Sequence, residues 1–396
     1  MNCIKRTFAL LLSFICVIAM TGCGFKVPDP MEYPDYTFTA EPTPEELRQM
    51  AVQAMRDILS IQWHTEKEIR YRKNGPVNKK EFVHEPGNIY AGMLYSSAST
   101  GIFQFFEYYN TDTGCLEYPG TADELKLELG NSCADALLWS WSTVCNSIQG
   151  GFYPVLMVPN NGYIAVGDYT YRQTIQSYNE LPSNAIIENN GDEVILESYA
   201  QMLPADALLS NTDNHAKMVI EAPVVVRNSD GTIDPENSYV MIQDQRAGGS
   251  TFFVEKVDGH TLNYSGKLND KTTFATLLEK NYIPVTTAEF LGLKPYEKAT
   301  VSASGECSSL AELASLTVEA NYPLAVVNIL EVNSKGKETV LKRQMFGAGN
   351  MYGVPRSFSL SEFKDLDTLS PAAGSTIKVE VVVSTGERFY PISFTN

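Results

Sequence analysis

Apolar side chains recur along this chain with two different periods, and the change of period divides it. Leu47, Met50, Ala51, Ala54, Met55, Ile58 and Leu59 follow a helical spacing. The helix has a start signal. Thr43 can cap it, Pro44 suits its first position, and Glu46 completes a capping box. Ala134, Leu137, Leu138, Trp141 and Val144 repeat the pattern and predict a helix over 131–148. Between these two helices Tyr90 to Phe106 is aromatic and punctuated by glycine.

From Tyr153 onward the pattern turns to short alternating runs separated by turn residues, as strands require. Met218 to Val226 and Tyr239 to Asp244 read as two strands. The intervening polar stretch from Arg227 to Ser238 contains Asp230-Gly231, a turn dipeptide without the acid spacing of a calcium loop. A short helix is predicted over Phe274 to Lys280. Beyond Ala299 the runs Leu316–Glu319, Ala325–Val332, Thr339–Leu341, Ile377–Val383 and Phe389–Phe394 predict strands, the last two joined by a turn at Ser384–Glu387. Several short strands without long helices predict a small β-sandwich over 297–396. The fold class expected for the whole chain is α+β.

The N-terminal end adds a location. Lys5 and Arg6 precede an apolar run from Phe8 to Met20 that is too short to span a bilayer. Residues 1–22 therefore read as a signal peptide. Met20-Thr21-Gly22-Cys23 resembles a bacterial lipobox, which implies lipidation of Cys23 and an extracytoplasmic protein anchored to the cell membrane. Prolines at 28, 30, 34 and 42 then predict a flexible tether over 23–42.

The chain has 396 residues and a net charge of −17. Removing residues 1–22 takes away Lys5 and Arg6 and no acid, leaving −19. So acidic a chain is not expected to bind nucleic acid through its phosphates. Seven cysteines are too few for a disulfide scaffold, and no clustered Cys/His spacing predicts a metal site. His64, His84, His215 and His260 are scattered. There is no P-loop, nucleophile-elbow serine or zincin helix. Trp139 and Trp141 could stack on sugar, but their helical spacing with Leu137 and Leu138 puts at least one in the core.

The chemistry that remains is a thiol and an imidazole. Cys133 follows Gly130-Asn131-Ser132 at the start of its helix, where unpaired N–H groups and the helix dipole favour a thiolate. The same N–H groups could face a developing oxyanion. His215 opens a strand after the polar turn Asn211–Asn214. From there it could serve as base toward the thiol and acid toward a leaving amine.

Tyr90-x-Gly92-x-x-Tyr95, then the Cys133 helix, then Pro204-Ala205-Asp206 before a strand, then His215, together resemble the NlpC/P60 cysteine peptidases and the related CHAP amidases. The resemblance covers about residues 85–250. It implies a papain-like domain over 43–296, with N-terminal helices packed on an antiparallel sheet, and a third catalytic group on the next strand. That group would be Asp244, with Gln243 and Gln245 as rivals on the opposite face. Tyr95 and Ser132 would stand on the oxyanion or substrate side. The implied activity is cleavage of an amide bond in peptidoglycan stem peptides, in a cleft open to solvent, with no metal or organic cofactor. The chain departs from the family in having Ser132-Cys133-Ala134-Asp135 where Asp-Cys-Ser-Gly is usual, in Ala205 where glycine is usual, and in Lys217-Met218 after the histidine. Those departures keep a second reading open, an inactive relative that binds cell wall or protein. A solute-binding lipoprotein is a third, disfavoured by the absence of two α/β lobes.

Overall fold

The computed structural model describes residues 27, 29–72, 81–119, 127–148, 162–170, 183–246, 253–257, 260–347 and 354–396. The signal peptide and Cys23 lie outside these residues. The architecture is α+β. The centre is a six-stranded antiparallel sheet in the order Gly266–Thr273, Tyr239–Gln245, His215–Val219, Ala207–Ser210, Ile283–Thr287 and Tyr163–Ala165. A second, mixed sheet joins Gln62–Trp63, Ile89–Ala91, His260–Tyr264 and Phe253–Val257.

The long helix Pro44–Ser60 begins as its sequence predicts. The Thr43 amide donates to the Glu46 carboxylate at 2.7 Å, and the Glu46 amide donates back to the Thr43 hydroxyl at 3.3 Å. Its buried stripe includes Leu47, Ala51, Met55 and Ile58, and it packs on the central sheet and on the helix Cys133–Ser142. Polar Arg48 lies on the buried side, 2% exposed. It forms an ion pair with Asp206 at 2.7 Å and donates to the Pro204 and Phe290 carbonyls. A guanidinium is stable there only because carboxylate and carbonyl oxygens replace its water.

Three sequence expectations need correction. Residues 29–42 are not a free tether: Tyr36 is 2% exposed, stacks edge-on against Phe103 and donates to Asp57 at 2.8 Å. Tyr33 packs on Phe103 and Phe106, and the Met31 amide donates to Tyr109. Aromatic side chains dock a segment whose prolines alone suggested a linker. The second helix ends at Ser142, so Cys145 lies in the chain beyond it and not on it. The strand expected to run to Val226 stops at Val219. Pro223 has no N–H to give a ladder, and only Val224 regains a bridge, to Tyr239.

The described residues from Val301 to Thr395 add two further sheets. Glu338–Met345, Leu324–Val332, Thr376–Val383 and Arg388–Thr395 make one sheet; Val301–Ala303, Thr317–Ala320 and Ser357–Ser359 make the other. Val318 and Phe358 meet Val327, Ile329, Val379 and Ile392 in one core. The boundary at 296/297 is not a clean separation, however. Ala325, Val326 and Val382 belong to the core of the preceding domain. Gln104 donates to the Phe346 carbonyl, and Ser384 donates to the carbonyl of Ser142, the last residue of the Cys133 helix, at 2.5 Å.

Candidate active site

The Cys133 helix starts where it does because two loops lock the residues before it. Gly130 has φ +105°, and a Cβ there would collide with the Leu94 carbonyl. Only glycine passes freely. Its amide donates to the Thr100 hydroxyl and its carbonyl accepts from the Thr100 amide, both at 2.8 Å. The Asn131 amide donates to the Leu94 carbonyl at 2.9 Å. Ser132 then caps the helix, its amide and hydroxyl donating to Asp135 at 3.1 and 2.6 Å. The Ser132 proton is therefore committed to Asp135. Tyr95 is bridged to Asn131 and sits in the electrostatic field of Cys133, Asp135 and Asp244. Burial first, and those negative neighbours second, hold its phenol protonated.

His215 and Asp244 come from adjacent central strands. Gln243 pairs with Met218, so Asp244 falls beside Lys217, on the face that His215 shares. His215 Nε2 lies 2.7 Å from Asp244 Oδ2. The ring also shares a hydrogen bond with the Cys133 thiol. Thus the structure brings Cys133, His215 and Asp244 together across 111 positions of sequence. The rivals are engaged elsewhere. Gln243 donates to the Val52 carbonyl at 2.9 Å, and Gln245 donates to the Met93 carbonyl at 3.0 Å.

Electrostatics follow from this contact. Burial would raise the Cys133 thiol, but the His215 hydrogen bond and charge, with the Ala216 backbone, outweigh it and leave the thiol below its ordinary value. Burial would lower His215, but hydrogen bonds to Asp244 and Cys133 and their charges push it up to about 9. The contact favours the thiolate and the imidazolium together, and the two groups titrate as a pair. Cys145 is the contrast: burial drives its thiol well above the usual value.

Sequence reasoning gave no role to the groups around these three side chains. Tyr282 donates to Asp213 at 2.6 Å and feels the charges of Asp244 and Cys133. Lys217 is 5% exposed, with its ammonium 5.0 Å from the Tyr282 ring centre, and burial lowers its pKa. Arg246 Nε lies 3.3 Å from Asp244 Oδ1. The only sequence signal for them was strand alternation, which gives positions and not roles.

The pair does not stand in the expected cleft open to solvent but is largely covered. Cys133 is 7% exposed and the His215 side chain 12%. A cavity of about 430 Å³ lies elsewhere, lined by Tyr33, Asp35 and Arg388 among others. Trp139 and Trp141 are both in the core, so neither offers a sugar platform. Among the described residues no three His, Cys, Asp or Glu side chains gather as a metal site, and no helix is long and apolar enough to cross a membrane. Comparison of the chain with protein-family models, curated proteins and solved structures finds no match.

Proposed function

We propose that the protein is a cysteine peptidase or amidase of NlpC/P60 type, papain-like in layout, anchored outside the cell membrane by lipid on Cys23. The observation behind this reading is the Cys133–His215–Asp244 contact: a helix-start thiol, an imidazole bonded to it, and a buried carboxylate 2.7 Å behind the ring. A second observation bears on the resemblance. Ala205 stands where the family's turn has glycine, and it adopts φ +70°, a conformation that favours glycine.

In the reaction the Cys133 thiolate attacks an amide carbonyl carbon. A C–S bond forms and the carbonyl electrons move to oxygen, near the first N–H groups of the Cys133 helix. The His215 imidazolium gives its proton to the amide nitrogen, the C–N bond breaks, and the amine leaves. Water, deprotonated by His215, then hydrolyses the thioester to a carboxylic acid and the free thiol system. Asp244 orients the ring throughout and stabilises its charge. The substrate class drawn from the resemblance is the peptidoglycan stem peptide or its cross-bridge.

Purified cell walls provide the test. Wild-type protein should release new amino groups, and Cys133→Ala should release none above background. Turnover that survives in Cys133→Ala would refute the reading. A second reading, an idle site that only binds, is favoured by the 7% exposure of Cys133. It predicts wall binding without release by either form.

A further inference from the structure

We propose that Arg246 is a positioning residue for this site: it holds the far oxygen of Asp244, so that the near oxygen faces His215. The inference rests on the cysteine-hydrolase reading and deepens it.

The geometry is a relay across three strands or their ends. Asp244 is fully buried. Its Oδ2 is used by His215 at 2.7 Å, and its Oδ1 accepts no aligned hydrogen bond. Arg246 Nε sits 3.3 Å from that Oδ1, an ion pair whose alignment a bound substrate could tighten. The guanidinium is itself fixed. Its Nη2 donates to Asp270 Oδ2 at 3.0 Å, and Lys267 holds Asp270 Oδ1 at 3.0 Å. The Arg246 amide donates to the Ser265 carbonyl at 3.0 Å, which ties the start of the side chain to the next strand. A planar fork can reach both acids at once, which a lysine ammonium cannot do in the same way.

A buried carboxylate without a second partner gains by turning toward one. Turning would withdraw Oδ2 from the ring. Arg246 prevents it while standing 30% exposed at the edge of the site. The other charged or titratable neighbours are Cys133, Asp135 and Tyr95 on the helix side, Asp213 and Lys217 on the His215 strand and its turn, and Tyr282 and Lys280 beyond them. Cys133 bonds His215 directly and the others act on the site through their fields, whereas Arg246 stands at ion-pair distance from Asp244 Oδ1.

The sign of one measurement decides the matter. Deleting a nearby cation, with geometry unchanged, would make the imidazolium easier to keep. Losing the orientation of Asp244 would make it harder. The experiment follows thiolate absorbance at 240 nm and iodoacetamide alkylation of Cys133 against pH, in wild type, Arg246→Ala, Arg246→Lys and Asp270→Asn, with His215 titrated by NMR. We expect the high-pH limit of His215 to fall by about one pH unit in Arg246→Ala, to fall less in Asp270→Asn, and to recover partly in Arg246→Lys. A His215 limit that stays or rises in Arg246→Ala, in a variant whose circular dichroism matches wild type, overturns the proposal. Should Arg246→Ala fail to fold, Asp270→Asn decides in its place, because it keeps the cation and removes what fixes it: a lowered limit supports the proposal, and an unchanged or raised one overturns it. Failure of the underlying reading would look different: wild-type Cys133 itself would show no depressed thiolate titration.

Discussion

Replacing Asp244 by Asn removes a charge while keeping an acceptor oxygen and the side-chain shape. His215 rises from 6.5 to about 9 in the folded protein although burial opposes it. That rise corresponds to about 3 kcal/mol in favour of the imidazolium. Two partners supply it, the Asp244 carboxylate and the Cys133 thiolate, each through a hydrogen bond and a charge. If the lost charge accounts for about half, the imidazolium loses about 1.5 kcal/mol and its titration moves down by about one pH unit. Asp244→Ala, which also deletes the acceptor, should move it further. The assay is the pH dependence of Cys133 alkylation, with modified peptide counted by mass spectrometry. Wild type should react through a plateau that ends near pH 9, and the plateau of Asp244→Asn should end near pH 8. Turnover on cell walls should drop at least about tenfold. Superimposable alkylation profiles for the wild type and Asp244→Asn would show that the carboxylate does not govern the ring, and the electrostatic account of the site would be wrong.

Three further outcomes follow from the same structure. In native protein at pH 7, Cys133 should alkylate at least about tenfold faster than Cys145, whose thiol burial holds protonated; in denaturant the two rates should converge, and native parity would contradict the contact with His215. Asp206→Asn should cost about 3–5 kcal/mol in denaturant unfolding by stranding Arg48, whereas Arg48→Met combined with Asp206→Leu should cost less than either single change; a double variant as damaged as the sum would refute that. The folded value of His215 lies above its unfolded one, so its contribution to stability is full below pH 6.5 and is lost as pH rises through about 9. The gap in Tm between wild type and His215→Gln should therefore shrink over that interval, and a gap that widens would reverse the sign of this contribution.

The parts of the molecule legible in sequence are those where local chemistry and tertiary packing agree. The helix from Pro44 has both a capping box and a clean apolar stripe, and its start is where the pattern puts it. The hairpin between Thr376–Val383 and Arg388–Thr395 turns at Gly386, with φ +91°, as Ser384–Glu387 implied. Misreadings arose where distant contacts decide. Val144 and Ile148 continue a helical spacing, yet the chain leaves the helix after Ser142. There Arg356 takes the Asn146 and Ile148 carbonyls, and Tyr322 takes that of Val144. Periodicity cannot register a partner about two hundred positions away. The Cys133 and His215 pair was readable because each sits at an element boundary with turn chemistry before it. The meeting of Asp244 with Arg246 and Asp270 was not, since it depends on strand register and on the bulge between Ile242 and Asp244.

The hydroxyl of Ser384 on the Ser142 carbonyl has a mechanical meaning. Ten helical residues make a rod of about 15 Å, with Cys133 at one tip and a bolt from the C-terminal strands at the other. Cutting the chain after residue 296 would do more than discard an accessory module. It would unseat that rod and bare apolar surface of the core that Ala325, Val326 and Val382 now share, so the two halves should melt in a single transition and resist rescue as separate pieces.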